Sequence, residues 1–318
     1  MIDIKRKVMQ KNNHEEFFIT HRGKYILINN SSDTNNFLKS DVFLIQKNEY
    51  DKLEKNDEIL HEYLELSRKV KELKANYNLI LNARSYWESK LETLEGHNLS
   101  KKNEYVFISF NRRLTNFVVS FKTLIDDIIL KHKLPKIFGK DSEEVKKFKA
   151  KTSKWYDENF SYRFLIRLRD FSVHFKMPIQ IVDFDINFDE KREKKLIVEI
   201  DAKFRKETIL EFKDMRRIFE EELKNFPPKF DLIPILKEFD FFFDEIYRAL
   251  IEISNDRYVN CAKFLNSRVN KFDDPKDVSY GVISLLSDKR TIGPITNKVN
   301  IRAIKEILKY HKPVTNNA

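Results

Sequence analysis

Residues 162–174 read Tyr-Arg-Phe-Leu-Ile-Arg-Leu-Arg-Asp-Phe-Ser-Val-His, and this stretch predicts a central helix of the fold. Its apolar residues recur at helical spacing and share one face, together with the residue that follows it: Phe164, Leu168, Phe171 and Phe175. Such a helix already has a core face, so it does not need Arg169 or His174 in order to fold. We therefore interpret these two polar residues as candidates for function.

Arg169 and His174 have the chemistry that cleavage of a phosphodiester needs. A guanidinium stabilises charge on phosphate, and an imidazole moves a proton near neutral pH. On an ideal helix their side chains lie about 140° apart, so one helix does not bring them together easily. Ile166 and Val173, with Tyr162 beside them, form a second apolar seam on the opposite side. Two copies packed through this seam would share a site, whereas a second helix of the same chain would cover it equally well.

The order of Arg169, Asp170 and His174 resembles the R-x(4-6)-H signature of the HEPN superfamily, whose second motif residue is often Asn, Asp or His. The surrounding sequence also resembles a group of largely uncharacterised bacterial proteins that read Y-R-F, L-R-N-Y, Q-H and then L-P. The matching segments here are Tyr162-Arg163-Phe164, Leu168-Arg169-Asp170-Phe171, His174 and Met177-Pro178. The signature helix is thus the centre of the resemblance.

This chain departs from that group at three positions, where Asp170 replaces Asn, Phe171 replaces Tyr and Val173 replaces Gln. Asp is within the wider HEPN pattern, while the loss of Gln removes a polar group beside the histidine. A second match is the run Asn-Arg-Arg-Leu-Thr-Asn at 111–116, which resembles the Arg-rich start of the preceding helix in the group. The resemblance covers roughly residues 103–178.

The resemblance implies a metal-independent endoribonuclease that acts as a homodimer on RNA, either tRNA or mRNA. His174 would transfer protons, Arg169 would stabilise charge on the phosphate, and Asp170 would orient the imidazole or bind ribose. Arg112 and Asn116 are second-rank candidates for holding the substrate. Members of the superfamily commonly act in bacterial phage defence or toxin systems, which implies an inhibitory or sensor partner protein.

The alternative is a non-catalytic helical module for binding or assembly, because HEPN-like folds also serve in that way. Arg169 would then form a buried ion pair with Asp170 or another acid, and His174 would be a satisfied core histidine. Unrelated functions, including a phage structural or regulatory protein, also stay open.

A preceding helix is predicted from Asn103 to about His132, where the pair Leu134-Pro135 ends it. Its apolar face contrasts with a polar stripe on the other side, formed by Arg112, Asn116, Ser120, Thr123 and Asp127. The stripe is either a solvated surface or a polar face turned towards the Arg169/His174 helix. A solvent face in this Lys-rich chain would be expected to have more lysines, whereas hydroxyls and amides are more typical of close packing or ligand contact.

Composition limits the function further. The 318 residues have a net charge of +10, which favours anionic partners such as nucleic acid, although a chain rich in Lys, Asn, Ile and Phe reaches this balance without a nucleic-acid function. Only 5 glycines occur, which excludes Gly-rich phosphate loops. Cys261 stands alone and the histidines are scattered, so we expect no disulfide, no bound metal and no cofactor. We predict a cytoplasmic protein without a membrane segment.

The elements together predict an α+β, mainly α fold, which is a HEPN-like helical bundle with added strands. A small β-containing region at 1–48 precedes a helical region at 49–178, which begins with a long helical arm. A β-hairpin or small sheet follows at 179–212, with a third strand predicted over 208–212, and helices fill 213–318.

Overall fold

The computed structural model describes residues 24–29, 41–93, 99–189, 195–272, 278–285 and 292–310, and it has an α+β, mainly α fold as predicted. The α-helices of these ranges are α1 (Lys47–Leu81), α2 (Ala83–Glu92), α3 (Leu99–Lys122), α4 (Leu134–Phe138), α5 (Glu143–Glu158), α6 (Phe160–His174), α7 (Lys206–Glu211), α8 (Lys213–Leu223), α9 (Leu232–Val269) and α10 (Ile301–Tyr310). A π-helix, Thr123–Lys133, connects α3 to α4. The strands are β1 (Tyr25–Asn29), β2 (Asp41–Ile45), β3 (Ile181–Asp189), β4 (Lys195–Arg205), β5 (Lys229–Asp231), β6 (Val278–Leu285) and β7 (Ile292–Lys298).

Contacts divide the chain into two compact units, of which the first comprises residues 1–65 and 254–318. Its antiparallel sheet has the order β2-β1-β6-β7, so strands from opposite ends of the chain are neighbours. Ile26 of β1 lies opposite Leu44 of β2 and Gly281 of β6. The central position of β1 explains why its apolar residues are fully buried.

The second unit comprises residues 66–253 and contains the signature helix. Its core is rich in aromatic side chains from α1, α3, α6 and α9, among them Tyr77, Phe121, Tyr162 and Phe239. An antiparallel sheet of order β3-β4-β5 belongs to the same unit. The division into consecutive regions at 1–48, 49–178, 179–212 and 213–318 remains a prediction.

The predicted β-hairpin is confirmed, but its third strand is not the one expected. Residues 206–211 form α7, which buries Ile209, instead of the strand predicted over 208–212. The place beside β4 is taken by β5, where Phe230 lies opposite Phe204. The prediction was wrong because a short helix of six residues buries Ile209 as well as a strand would, and because β5, with three residues, is too short to give an alternating pattern.

The helical segment before the signature helix also ends later than predicted. The chain stays helical through the π-helix and through Pro135, which lies in the first turn of α4, where its missing N–H is tolerated. Gly139 ends α4 with a φ of +100°, a backbone conformation that glycine adopts without strain, and its N–H donates to the Pro135 carbonyl at 2.9 Å. Proline therefore marks a helix start here.

Other elements agree with the pattern of the sequence. Of the β-containing region predicted at 1–48, the structure describes β1 and β2, while residues 1–23 and 30–40 lie outside the described residues. The long arm is a pair of helices, α1 and α2, that meet at Asn82. Within the described parts of the chain, no helix has the length and apolarity needed to cross a lipid bilayer.

Asp57 of α1 gives the first unit a pH-dependent stability. Burial raises the pKa of this carboxyl to about 6, against the opposing effects of a hydrogen bond from the Tyr280 hydroxyl and of His61. The hydroxyl of Tyr280 donates to Asp57 Oδ2 at 3.1 Å. Between pH 4 and pH 6 the native carboxyl holds a proton that the unfolded chain has released, so the unfolding free energy falls as pH rises through about 4 to 6.

We expect this loss to amount to about 2 kcal/mol in the wild type and to disappear in Asp57→Asn, which keeps the size of the side chain. Urea unfolding followed by far-UV circular dichroism at pH 4, 5, 6 and 7 would measure it. The difference between the two proteins isolates Asp57 from the other titrating groups. A difference that is flat over this range, or that grows in the opposite direction, would show that Asp57 is not protonated in the native state.

Candidate functional site

The signature helix α6 is fixed by its cap and by its core face. The Asn159 side chain accepts a hydrogen bond from the Tyr162 N–H at 2.9 Å, which satisfies one of the free donors of the first turn. Phe164, Leu168 and Phe171 are fully buried, as the spacing predicts. Phe175 was predicted on the same face but is 40% exposed, because the helix ends before it.

The opposite side of α6 is buried along only part of its length. Tyr162 and Ile166 are buried and line a cavity with Ile125 and Leu130 of the π-helix, so other helices of the same chain cover this part of the seam. Val173 is 48% exposed. The prediction of an apolar helix buried on both sides is therefore confirmed for the first turns and wrong for the last one.

Asp170 lies at the centre of a charged cluster between α3 and α6. Its Oδ2 accepts a hydrogen bond from Lys122 Nζ at 2.7 Å, and its Oδ1 accepts one from the Arg169 guanidinium at 2.9 Å. Burial alone would raise the pKa of Asp170, but the hydrogen bonds from Lys122 and Arg169 outweigh it and the pKa is lowered. The carboxyl is thus ionised at neutral pH and holds both cations in place.

Arg169 also faces the acids of the π-helix. The pKa of Asp127 is lowered, chiefly by a hydrogen bond from Lys131 and in a smaller part by the charge of Arg169. The neighbouring Asp126 behaves in the opposite way, since burial raises its pKa. The guanidinium of Arg169 therefore lies within the electrostatic reach of two ionised carboxylates, Asp170 and Asp127.

Beside this cluster is a cavity of about 350 Å³ formed by the end of α3, the π-helix, α5 and α6. Lys122, Asp126 and Arg167 contribute its charged groups. The hydroxyl of Tyr162 lies here and has no hydrogen-bond partner among the described residues. Burial raises the pKa of this hydroxyl, so it is a neutral phenol. A π-helix is a rare element that often marks a functional site, and this one places Asp126 at the cavity.

His174 lies in the last turn of α6 and is exposed to solvent. Both carboxylate oxygens of Asp170 are occupied by cations, and no hydrogen bond joins Asp170 to His174 in the structure. Asp170 therefore does not orient the imidazole of His174 through a hydrogen bond, as the resemblance implied. The side chain of His174 is accessible from solution.

Arg112 and Asn116 lie on α3 away from this cluster, and both are exposed. Asn116 lines a second cavity, of about 360 Å³, together with Ser120 and with residues of α1. Asn76 of α1 donates to Ser120 Oγ at 3.2 Å across it. The residues that line this cavity include none from α6, so Asn116, Ser120 and Thr123 of the polar stripe turn towards α1. Asp127 of the stripe instead lies within the electrostatic reach of Arg169 on the signature helix.

The structure adds two residues to the site that sequence reasoning missed. Lys122 pairs with Asp170, although nothing in the spacing of two separate helices predicts such a contact. Asn111 is buried, and its side chain accepts a hydrogen bond from the Ile179 N–H at 2.8 Å and donates one to the Ile179 carbonyl at 3.1 Å. It belongs to the Arg-rich run at 111–116, and it fixes the chain that follows α6.

The arrangement combines Arg169, the fixed carboxylate of Asp170 and the accessible imidazole of His174 on neighbouring turns of α6 with the ammonium of Lys122 on α3. It is suited to binding an anion and to proton transfer. Among the described residues, no group of three His, Cys, Asp or Glu side chains is placed to hold a metal ion. Comparison of the chain with protein-family models, with curated proteins and with solved structures finds no match.

Proposed function

We propose that this protein is a metal-independent endoribonuclease of HEPN type, with Arg169 and His174 as its catalytic residues. The observation that supports this best is the exposure of His174 at the end of α6. A histidine kept only for packing would be buried and hydrogen-bonded, whereas a general acid or base must be within reach of its substrate.

In this mechanism the 2′-hydroxyl of RNA attacks the adjacent phosphorus. The bond from the 2′-oxygen to phosphorus forms, and the bond from phosphorus to the 5′-oxygen breaks. His174 takes the proton of the 2′-hydroxyl as a general base, and the imidazolium so formed returns it to the leaving 5′-oxygen. The products are a 2′,3′-cyclic phosphate and a 5′-hydroxyl. Arg169 stabilises the negative charge that develops on the phosphate oxygens.

The charged cluster allows Arg169 to exchange its hydrogen bond with Asp170 for one with a phosphate. Lys122 pairs with the second oxygen of Asp170, so the carboxylate keeps one cation when Arg169 turns to a phosphate. Exchange of one anion for another costs little compared with leaving a partly buried carboxylate without a partner. Lys122 is accordingly a positioning residue of the proposed site.

The wide angle between Arg169 and His174 favours a site shared by two copies of the chain. Val173 lies directly before His174 and is the exposed part of the apolar seam, so it is available for contact with a second copy. The proposal also includes what the HEPN resemblance implies about partners and role. These are a homodimer, an RNA substrate (tRNA or mRNA) and an inhibitory or sensor partner protein, in phage defence or a toxin system.

A specific observation also favours the alternative, a non-catalytic binding or assembly module. The Arg169–Asp170 pair is the ion pair that this alternative predicts, and both side chains are partly buried. Under that alternative the pair stabilises the helix packing and has no other role.

The variant Arg169→Gln separates the two functions. In the nuclease, loss of the guanidinium is expected to lower the cleavage rate about 100-fold or more. The unfolding midpoint should stay nearly unchanged, because Lys122 still pairs with Asp170. Purified protein would be incubated in EDTA with total RNA and with a tRNA pool, and 2′,3′-cyclic phosphate ends would be counted. The matched control is Arg217→Gln, an exposed arginine of α8.

The opposite result would support the assembly module. In that case wild-type protein leaves both RNA pools intact, and Arg169→Gln changes the oligomeric state or the unfolding midpoint. Size-exclusion chromatography with light scattering, on the same samples, reports the oligomeric state.

A further inference from the structure

An exposed tyrosine on α2 is surrounded by cations from α2 and α3. Tyr86 is 47% exposed. The guanidinium carbon of Arg113 lies 5.0 Å from the centroid of its ring, and the Lys90 ammonium lies 5.5 Å from it. Arg112, the neighbour of Arg113 on α3, is exposed. We call these four residues, Tyr86, Lys90, Arg112 and Arg113, the Tyr86 surface.

The cations of the Tyr86 surface differ from Arg84 of α2 and Lys122 of α3, because no carboxylate of the described residues pairs with them. Arg84, on the same helix, binds Glu88 at 2.7 Å. Arg113 instead donates to the Leu79 carbonyl at 3.0 Å. Burial lowers the pKa of Arg113, and the charge of Arg112 adds to this effect. Neighbouring positive charges without acids give this surface a positive potential that attracts phosphate.

The surface is held rigidly by buried contacts beneath it. The indole N–H of Trp87 donates to Ser109 Oγ at 3.0 Å, which joins α2 to α3. The Trp87 ring packs edge-on against Tyr86, with a centroid distance of 5.3 Å and an angle of 81° between the planes. A side chain that is already ordered loses little entropy when a ligand binds to it, so Tyr86 is a preorganised contact.

We propose that the Tyr86 surface binds single-stranded RNA, with one base stacked on the Tyr86 ring and phosphates contacting Lys90, Arg112 and Arg113. Arg113 and Lys90 lie over the ring, so a base that stacks on Tyr86 takes the place of one of these cations, which then binds the backbone beside the base. A base must be unstacked to reach the ring, so a single strand fits this surface and a duplex does not. The choice of RNA over DNA rests on the proposed nuclease function.

The Tyr86 surface would act in addition to the proposed catalytic residues. Arg112 and Lys122 lie on the same helix, ten residues apart, which corresponds to about 15 Å along the axis. A strand bound at Tyr86 would therefore raise the local concentration of RNA near the α6 cluster within the same unit.

The test measures binding without cleavage. A fluorescent single-stranded oligonucleotide of 2′-O-methyl RNA lacks the attacking hydroxyl, so its anisotropy reports binding alone. Tyr86→Ala is expected to bind it about ten-fold more weakly than the wild type. The matched control is Tyr247→Ala, which removes a tyrosine of nearly equal exposure, 46%, from α9. The control should bind as the wild type does.

A second arm examines the charges. Arg112 is exposed, so Arg112→Gln should fold normally and reduce the slope of log affinity against log salt by about 0.7.

Equal binding by Tyr86→Ala and Tyr247→Ala would overturn the proposal, as would equally tight binding of a blunt duplex. Binding that depends on Tyr86 in a protein that cleaves no RNA would support this surface while refuting the nuclease. If Tyr86→Ala cleaved RNA and bound the oligonucleotide as the wild type does, the nuclease would be supported and the Tyr86 surface would be refuted.

Discussion

The variant His174→Ala is expected to keep its fold and to cleave RNA about 10²–10⁴-fold more slowly than the wild type, which is the usual contribution of a general acid or base. The side chain is exposed at the end of α6, so its removal should change the unfolding free energy by less than about 0.5 kcal/mol. Initial rates in EDTA on a tRNA pool, together with a urea unfolding curve, would measure both quantities.

The control for this prediction is His132→Ala, which removes an exposed histidine from the π-helix. It should cleave at the wild-type rate if the effect belongs to the position of His174. Equal rates for His174→Ala and the wild type would refute the proposed mechanism, even if RNA were cleaved. A loss of rate accompanied by a changed oligomeric state would instead indicate that His174 contributes to assembly.

The core of α6 could be predicted from the sequence because burial follows a simple period. Phe164, Leu168 and Phe171 repeat every three or four residues, and all three are fully buried. The hairpin of β3 and β4 was predictable for the same reason, since residues such as Val198 and Ile200 alternate with charged ones. Patterns of this kind are local, so one stretch of sequence contains all the information they need.

Contacts between residues distant in sequence could not be predicted in the same way, and each of the two units contains one. Lys122 and Asp170 are joined by a hydrogen bond between helices, and β1 pairs with β6 from the other end of the chain. The strands β6 and β7 were missed altogether. The switch from α3 to a π-helix at Thr123 also has no sequence signal that we can identify.

Within the single helix α6, some features of the candidate site could be predicted from the sequence and others could not. The type and spacing of Arg169, Asp170 and His174 were visible in the sequence, and the structure places the first two in contact. Spacing gave no means to tell that His174 is exposed or that both oxygens of Asp170 are occupied. These facts depend on where α6 ends and on which residue of α3 faces it.

The second prediction concerns Phe239, which links α9 to the helices of the candidate site. Its ring lies 4.6 Å from that of Phe121 and 5.3 Å from that of Phe117, both on α3, and it stacks near Tyr162 of α6 at 6.5 Å. It is fully buried. Phe239→Ala is therefore expected to destabilise residues 66–253 by about 3–5 kcal/mol, since it removes buried contacts and leaves a cavity.

Phe241 is the matched control, because it lies two residues further along α9 and is 63% exposed. Phe241→Ala should change stability by less than about 0.5 kcal/mol. Both tryptophans of the chain, Trp87 and Trp155, fall within residues 66–253, so their fluorescence during urea unfolding reports on this unit alone. If the two variants unfolded at the same urea concentration, the packing of α9 on α3 and α6 would be wrong.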